Sequence, residues 1–333
     1  MINKKFLLAG RPIGRPIEDG DFEYQEEELR KIEEGEVLLE NLVIEFQPAQ
    51  KGWMEQISNY VAPLEIGDVM RCNGIARVLE SKSNNFKSGD IVTGQTCWQS
   101  HPILSDSELE IIEDPSAATL HLGALGGTGL TAYFGVTKIS KPKPGDTVVI
   151  TGAAGGVGSI AGQIFKISGC KVIGIAGGKE KCKILLDEFG FDAAIDYKSE
   201  DINKSLKELC PEGINVLYDN VGGRILNDCL AHIAMNARIA ICGIISRHKT
   251  DNANFGPENY ANLIFKRASM EGFIVIDFMS EADTARMKLK EWISDGKIKC
   301  KEDIQEGFEN IPNTLKRLFD GKNQGKQLLR ISD

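Results

Sequence analysis

The sequence predicts an α/β protein, a doubly wound parallel sheet joined to a smaller barrel-like β domain, and three observations carry that prediction. A short β-branched run at 147–151 opens into glycines at 152, 155, 156 and 158 and then into a helix-like pattern. Beyond it, helix-like and strand-like segments alternate as a doubly wound sheet demands. Before it, short strand-like segments are broken by glycine turns, with few long helical patterns, as in a small β domain.

In chain order, residues 1–35 are polar, with proline turns at Arg11-Pro12-Ile13-Gly14 and Arg15-Pro16-Ile17, and an acidic run at 26–28 that reads as solvated surface. Strand-rich segments follow at 36–46, 66–81 and 86–94. After the Pro115 turn, small residues precede a helix expected over 130–137. The glycine turn should lead into a helix through Ile160, Ile164 and Ile167 that stops near Gly169 and feeds a parallel strand at 171–175. Helices expected at 180–189, 202–209 and 225–233 alternate with strands at 193–196, 214–218 and 238–242. A last strand at 272–276 precedes a helix at 281–294, and the remaining chain reads as a return to the first domain.

Gly152, Gly155 and Gly158 let backbone approach a pyrophosphate closely, and the first N–H groups of the following helix favour its negative charge. An NAD binder would hold the adenosine ribose with an Asp or Glu at the end of the second strand. That place reads Ala176-Gly177-Gly178-Lys179-Glu180-Lys181, a lysine-rich rim without such a carboxylate, since Glu180 reads as a helix-start residue. The small residues leave room for a 2′-phosphate and the lysines attract it, so NADPH is the expected cofactor. Ligands in such sheets sit at the carboxyl ends of strands, which picks out the segments beginning at Asn220 and Gly243.

The 333 residues, 42% of them hydrophobic, suffice for two domains with ample core. A net charge of −9 argues against a nucleic-acid or anionic-membrane surface. No apolar run reaches the ~18 residues of a transmembrane helix, and Phe6-Leu7-Leu8-Ala9-Gly10 is too short for a signal-peptide core, so a cytoplasmic protein is expected. Eight scattered cysteines with no C-x-x-C pair read as reduced thiols. Cys97 and His101 stand four apart but do not make a tetrahedral zinc site, so no metal is expected.

The chain resembles the zinc-independent medium-chain dehydrogenases/reductases, and within them the alkenal double-bond reductases that include prostaglandin reductases and bacterial curcumin reductases. The likeness spans nearly the whole chain and is sharpest at 129–135, 153–159, 218–223, 241–246 and 306–310. It implies a Rossmann NADP-binding domain at 126–296 and a GroES-like β-barrel catalytic domain at 1–125, completed by 297–333. It places the phosphate turn on Gly155, Gly156, Val157 and Gly158, and the 2′-phosphate contacts on Lys181 and Tyr197. Nicotinamide-side contacts fall on Asn220, Cys242, Gly243, Ile244, Ile245, Ser246, Phe273, Ile274, Val275 and Asn323. It implies a homodimer paired through the nucleotide domain, with an apolar strand at 273–276 as the edge.

One departure is informative. Where the family usually has a tyrosine two residues after the serine placed at 246, this sequence has His248. An imidazole titrates near neutrality and can donate there, and Tyr260 is a possible substitute. The implied activity is NADPH-dependent reduction of the carbon–carbon double bond of an α,β-unsaturated ketone or aldehyde, with hydride added at the β-carbon. Charge moving onto the carbonyl oxygen is stabilised by His248, Tyr260, a backbone N–H or the cofactor's ribose hydroxyl. Trp53, Met54, Tyr60, Tyr260 and Phe278 are expected to wall the substrate cleft. A quinone reductase of the same fold and a non-enzymatic NADPH-binding regulator remain as alternatives.

Overall fold

The computed structural model describes residues 1–56, 60–248 and 256–332, the side chains of Arg247 and His248 excepted. The chain divides into two units, 1–122 with 302–333, and 123–301. Residues 123–125 and 297–301 therefore lie in the second unit. There the Leu125 carbonyl accepts from Arg286 Nε at 3.3 Å, and the Lys299 amide donates to Gln163 Oε1 at 2.7 Å.

In the first unit, β1 (Ile2–Leu8) and β2 (Phe22–Glu28) pair antiparallel, with Lys4 opposite Glu26. The acidic run is exposed, as expected, and it also forms part of a strand. Only Phe22 of β2 is buried, so the two-residue alternation that marks a strand is missing from its sequence. The larger sheet contains β3 (Glu36–Glu45), β4 (Gly74–Ser81), β5 (Ile91–Gly94), β6 (Ile103–Ser105) and β7 (Leu109–Ile111). It is completed after the second unit by β14 (Glu302–Glu306) and β15 (Lys326–Arg330). The order is β14-β15-β3-β4-β5-β7, with β6 beside β3, and only β14 and β15 are parallel.

Among the described residues three cores form in this unit, a small one of Val43, Ile75, Ile112, Leu122 and Leu328 and two larger ones. Val37, Leu39, Ala76, Val78, Val92 and Leu109 pack on one another in one. The other gathers aromatic rings around Trp98, with Phe22 and Phe46 at centroid distances of 5.2 and 5.7 Å. Helices α1 (Ala49–Met54) and α9 (Ile311–Phe319) contribute Trp53, Met54, Ile311 and Leu315 to it. A buried ion pair, Lys326 Nζ to Glu45 Oε2 at 2.6 Å, lies across the β15–β3 ladder, and Asn73 Nδ2 donates to the other carboxylate oxygen. The extra donor partly offsets the desolvation of a charge buried on both sides.

Among the described residues the second unit holds six parallel strands, β8 (Thr147–Thr151), β9 (Lys171–Ala176), β10 (Ala193–Asp196), β11 (Ile214–Asp219), β12 (Ile233–Ile241) and β13 (Ser269–Gly272). Their order is β10-β9-β8-β11-β12-β13. Near-continuous burial of Val148, Val149, Ile150, Val172, Ile173 and Ile175 is what a parallel sheet covered on both faces requires. Helices α2 (Gly127–Phe134), α3 (Gly156–Ile167), α4 (Lys179–Asp187), α5 (Ile202–Leu209), α6 (Gly223–Leu230), α7 (Asn262–Lys266) and α8 (Ala282–Ser294) complete it. Strand order reverses between β8 and β11, so a crevice for ligands opens at their carboxyl ends.

Elements of this unit differ from expectation, and β12 begins at Ile233 where the expected strand begins at 238. The helix expected to reach residue 233 stops at Leu230, and Ile233 begins β12 because it pairs with Ile214 of β11. The strand expected at 272–276 runs instead from Ser269 to Gly272, where Gly272 meets Ile241, the last residue of β12. With no neighbour left to pair, 273–276 leaves the sheet, and the Phe273 ring turns to Tyr218 at 6.3 Å. Among the described residues no helix is long and apolar enough to cross a membrane.

Candidate functional site

The site of the second unit is built from the loops at the carboxyl ends of β8, β9, β11 and β12. Gly152 takes the left-handed conformation, φ +61°, directly after β8. A Cβ on Gly158 would lie 2.5 Å from the Gly152 carbonyl oxygen and 2.8 Å from Ala153 Cα. Only glycine there lets α3 seat against the turn. Gly155 stands at the start of α3 with no side chain capping it. The first N–H groups of this twelve-residue helix thus have no side-chain acceptor, and the helix dipole adds positive potential. That cradle fits a pyrophosphate.

At the end of β9 the chain turns through Gly177 and Gly178 into α4, which also lacks a side-chain cap. Tyr197 lies flat against this turn, since a Cβ on Gly177 would fall 2.8 Å from the Tyr197 hydroxyl. Lys181 is half-buried in the first turn of α4 and Lys179 is exposed. The rim read as free of carboxylate does contain one. Asp196, 5% exposed at the end of β10, accepts from the Gly178 amide at 2.7 Å, the Lys198 amide at 3.0 Å and the Ser199 hydroxyl at 2.7 Å. Burial alone would raise its pKa, but these donors and the Lys198 charge outweigh that and hold it below the usual carboxylate value. Its Oδ1 is held by the two amides and its Oδ2 by the Ser199 hydroxyl, so it shapes the turn.

At the switch point, Thr151, Asp219 and Asn220 form one network. Asp219, fully buried, accepts from the Thr151 hydroxyl at 2.5 Å, the Gly222 amide at 2.9 Å and the Val221 amide at 3.3 Å. Asn220 is fastened to β8 through its amide to Thr151 Oγ1 at 2.9 Å and its Nδ2 to the Thr151 carbonyl at 2.8 Å. Gly243 lets the next loop approach, because a Cβ there would be 3.0 Å from the Asn220 carbonyl oxygen. Ser246 Oγ donates to the Val221 carbonyl at 2.6 Å. Desolvation pushes the Cys242 thiol up to about 12 despite an opposing hydrogen bond with Tyr218, so it serves as neutral wall and not as nucleophile. Thr151 and Asp219 escape the sequence reading, although polar residues at the carboxyl ends of adjacent buried strands are the signal that could have found them.

Gly155, Gly156, Val157, Gly158, Lys181, Tyr197, Asn220, Cys242, Gly243, Ile244, Ile245 and Ser246 thus all lie at or just past strand ends of this one unit. Phe273, Ile274 and Val275 follow β13 and are half-buried. Asn323 belongs to the first unit, where its side chain is buried and Nδ2 donates to the Gly325 carbonyl. The His248 side chain lies outside the described residues. Tyr260 stands 61% exposed on a short turn. Of the expected cleft walls, Trp53 and Met54 are buried in the aromatic core of the first unit. Tyr60 is exposed, and Phe278 stacks on Phe134 at 5.1 Å. Among the described residues no cluster of three His, Cys, Asp or Glu could hold a metal ion.

A parallel sheet with two uncapped helix starts and a glycine turn at its switch point defines a dinucleotide-dependent oxidoreductase of the doubly wound class. A family model described as the N-terminal domain of oxidoreductase matches residues 4–112, and one described as zinc-binding dehydrogenase matches 156–290. The NADPH-dependent curcumin reductase of Escherichia coli is 36% identical over 99% of this chain and 97% of its own. The NADP(+)-dependent 2-alkenal reductase of Nicotiana tabacum is 36% identical over 99% and 98%. The crystal structure of CurA in complex with NADPH from Vibrio vulnificus matches with a TM-score of 0.93 at 35% identity, covering 99% of both chains. The chain belongs to the zinc-independent medium-chain dehydrogenases/reductases.

Proposed function

We propose that this protein reduces the carbon–carbon double bond of α,β-unsaturated ketones and aldehydes with NADPH. The observation that carries the cofactor half is the rim at the end of β9, where Lys181 stands on an uncapped helix start and Asp196 is turned into the backbone. The reaction half is supported by the activities of the curcumin and alkenal reductases, similar over nearly the full chain.

Gly155 to Gly158 would hold the pyrophosphate, Lys181 and Tyr197 the 2′-phosphate, and Asn220, Cys242 to Ser246, Phe273 to Val275 and Asn323 the nicotinamide half. NADPH, when bound, supplies a hydride to the β-carbon of the enone. The protein's task is then to hold the substrate, keep water out and donate hydrogen bonds to the carbonyl oxygen as it gains charge. His248 and Tyr260 are the side chains proposed for that donation, and either can return a proton to the α-carbon. We place the protein in the cytoplasm and read it as a homodimer. Edge strand β13, paired on one side only, and the exposed Ile264 and Phe265 support the dimer.

The test is product analysis with NADPH deuterated at nicotinamide C4 and an aliphatic enone, with a 1,4-quinone as comparison. A saturated ketone labelled at the β-carbon is expected. Quinone turnover with the enone untouched would replace the reading by quinone reduction, and binding of NADPH without turnover of either would make the protein a regulator.

A further inference from the structure

We propose that Asn227 is a positioning residue that, through Asn259, fixes the turn carrying Tyr260 to α6 and so sets where the tyrosine hydroxyl stands toward the substrate carbonyl. The proposal rests on the enone reading above, with Tyr260 as a donor. It starts from what holds that turn. None of its residues, Glu258–Ala261, is buried, so apolar packing of its own side chains does not fasten it. Asparagine side chains do so instead. The Asn259 amide donates to Asn227 Oδ1 at 2.9 Å, and Asn259 Nδ2 donates to the Asn227 carbonyl at 2.9 Å. Three residues on in each segment, Asn262 Nδ2 donates to the Leu230 carbonyl at 3.0 Å. A backbone N–H can only donate and a carbonyl can only accept, so the sense of each bond is fixed. The clasp needs a side-chain acceptor at position 227 and a side-chain donor at position 259.

α6 is a firm platform for this clasp. Its Leu226, Cys229 and Leu230 are buried in the core of the second unit. Its first residue, Gly223, follows Gly222, whose amide donates to the buried Asp219 at the end of β11. Asn227 lies four residues past that start, about 6 Å along the helix axis. The turn is therefore referred to the carboxyl end of β11, where Asn220 stands, through a single turn of helix. Tyr260 itself is 61% exposed, so neighbours do not pin its ring and its hydroxyl stands where the turn puts it. Loss of either bond between Asn227 and Asn259 leaves the tyrosine present but displaced. A donor helps only within hydrogen-bond reach of the oxygen that gains charge, so displacement costs rate.

The experiment measures kcat for an aliphatic enone and Kd for NADPH in wild type, Asn227→Ala, Asn227→Asp and Asn259→Asp, each with Tyr260 intact and with Tyr260→Phe. Asn227→Ala and Asn259→Asp each remove one bond of the clasp. In both, kcat is expected to fall about tenfold while Kd for NADPH stays within about twofold of wild type. Asn227→Asp keeps the acceptor, and its kcat should stay within about threefold of wild type. In the Tyr260→Phe background Asn227→Ala and Asn259→Asp should cost less than about twofold, because no hydroxyl remains to be positioned. A merely structural asparagine would cost the same in both backgrounds, and that result overturns the proposal. So does kcat unchanged by Asn227→Ala, or by Tyr260→Phe alone. Asn259→Asp breaks the clasp from its other side and decides the matter if Asn227→Ala does not fold. Any of these failures in an enzyme whose wild type reduces the enone overturns the proposal alone, whereas wild type that leaves every enone untouched overturns the enone reading with it.

Discussion

The Asp196 carboxylate and the Gly178 amide are joined by a hydrogen bond of 2.7 Å across the end of the nucleotide sheet. This bond takes an acid that would repel a 2′-phosphate and turns it into a clasp for the turn leading into α4. On the proposed reading, cofactor choice then falls to Lys181, one helical turn further on.

Replacing Lys181 by Ala removes that charge from the first turn of α4. The loss of one charge-assisted contact to phosphate should raise Kd for NADPH about 10- to 100-fold. Kd for NADH should stay unchanged. Fluorescence titration with both dinucleotides checks it, and equal losses for the two would show that Lys181 does not read the phosphate.

Asp196→Asn should destabilise the second unit by about 1–3 kcal/mol, because an amide cannot accept from Gly178, Lys198 and Ser199 as the carboxylate does. The folded pKa of Asp196 is depressed. Its contribution is therefore present above the unfolded carboxylate pKa and disappears as pH falls through the lower folded value. Denaturant unfolding of the wild type between neutral and strongly acidic pH should show that loss, and the variant should show less of it.

Gly158→Ala places a Cβ 2.5 Å from the Gly152 carbonyl oxygen, a backbone atom that cannot swing aside. Overpacking of this kind costs about 1–3 kcal/mol, and the pyrophosphate cradle should open with it. A lower Tm together with NADPH affinity weakened more than tenfold is the expected pair of results. An unchanged Tm would mean that α3 does not seat on the turn as described.

His248→Phe and Tyr260→Phe separate the proposed donors. General acid help is worth about 100- to 10,000-fold, so the true donor should lose at least the lower figure in kcat with little change in KM. If neither variant slows turnover with any enone tested, the donation comes from backbone or cofactor hydroxyl.

The double change of Ile264 and Phe265 to Asp puts charge on two α7 side chains that are more than half exposed, shortly before edge strand β13 in the chain. Sedimentation should find the wild type dimeric and the variant monomeric. A variant dimer would place the interface elsewhere.

Much of the second unit was legible because its signals are local. The β-branched run ending at Thr151, the glycines that follow it and the helix behind them lie within about two dozen residues. The parallel strands betray themselves by continuous apolar runs. What failed to show were elements whose order comes from a neighbour. β2 has no buried alternation and exists because β1 pairs with it. β13 starts and stops where β12 offers a partner, which is why the apolar residues 273–276 fall outside the sheet. Trp53 and Met54 pack in the core of the first unit, a placement that depends on residues far away in the chain.

By itself the sequence determined the class of fold and pointed to the glycine turn and the lysine-rich rim, since each depends on residues adjacent along the chain. Tertiary structure alone decided how they are wired. The bonds from Asp196 to Gly178 and from Asn220 to Thr151 join residues 18 and 69 positions apart. A hydrogen bond is made where two groups lie within about 3 Å with the right alignment, and nothing short of the packed sheet brings such distant groups together.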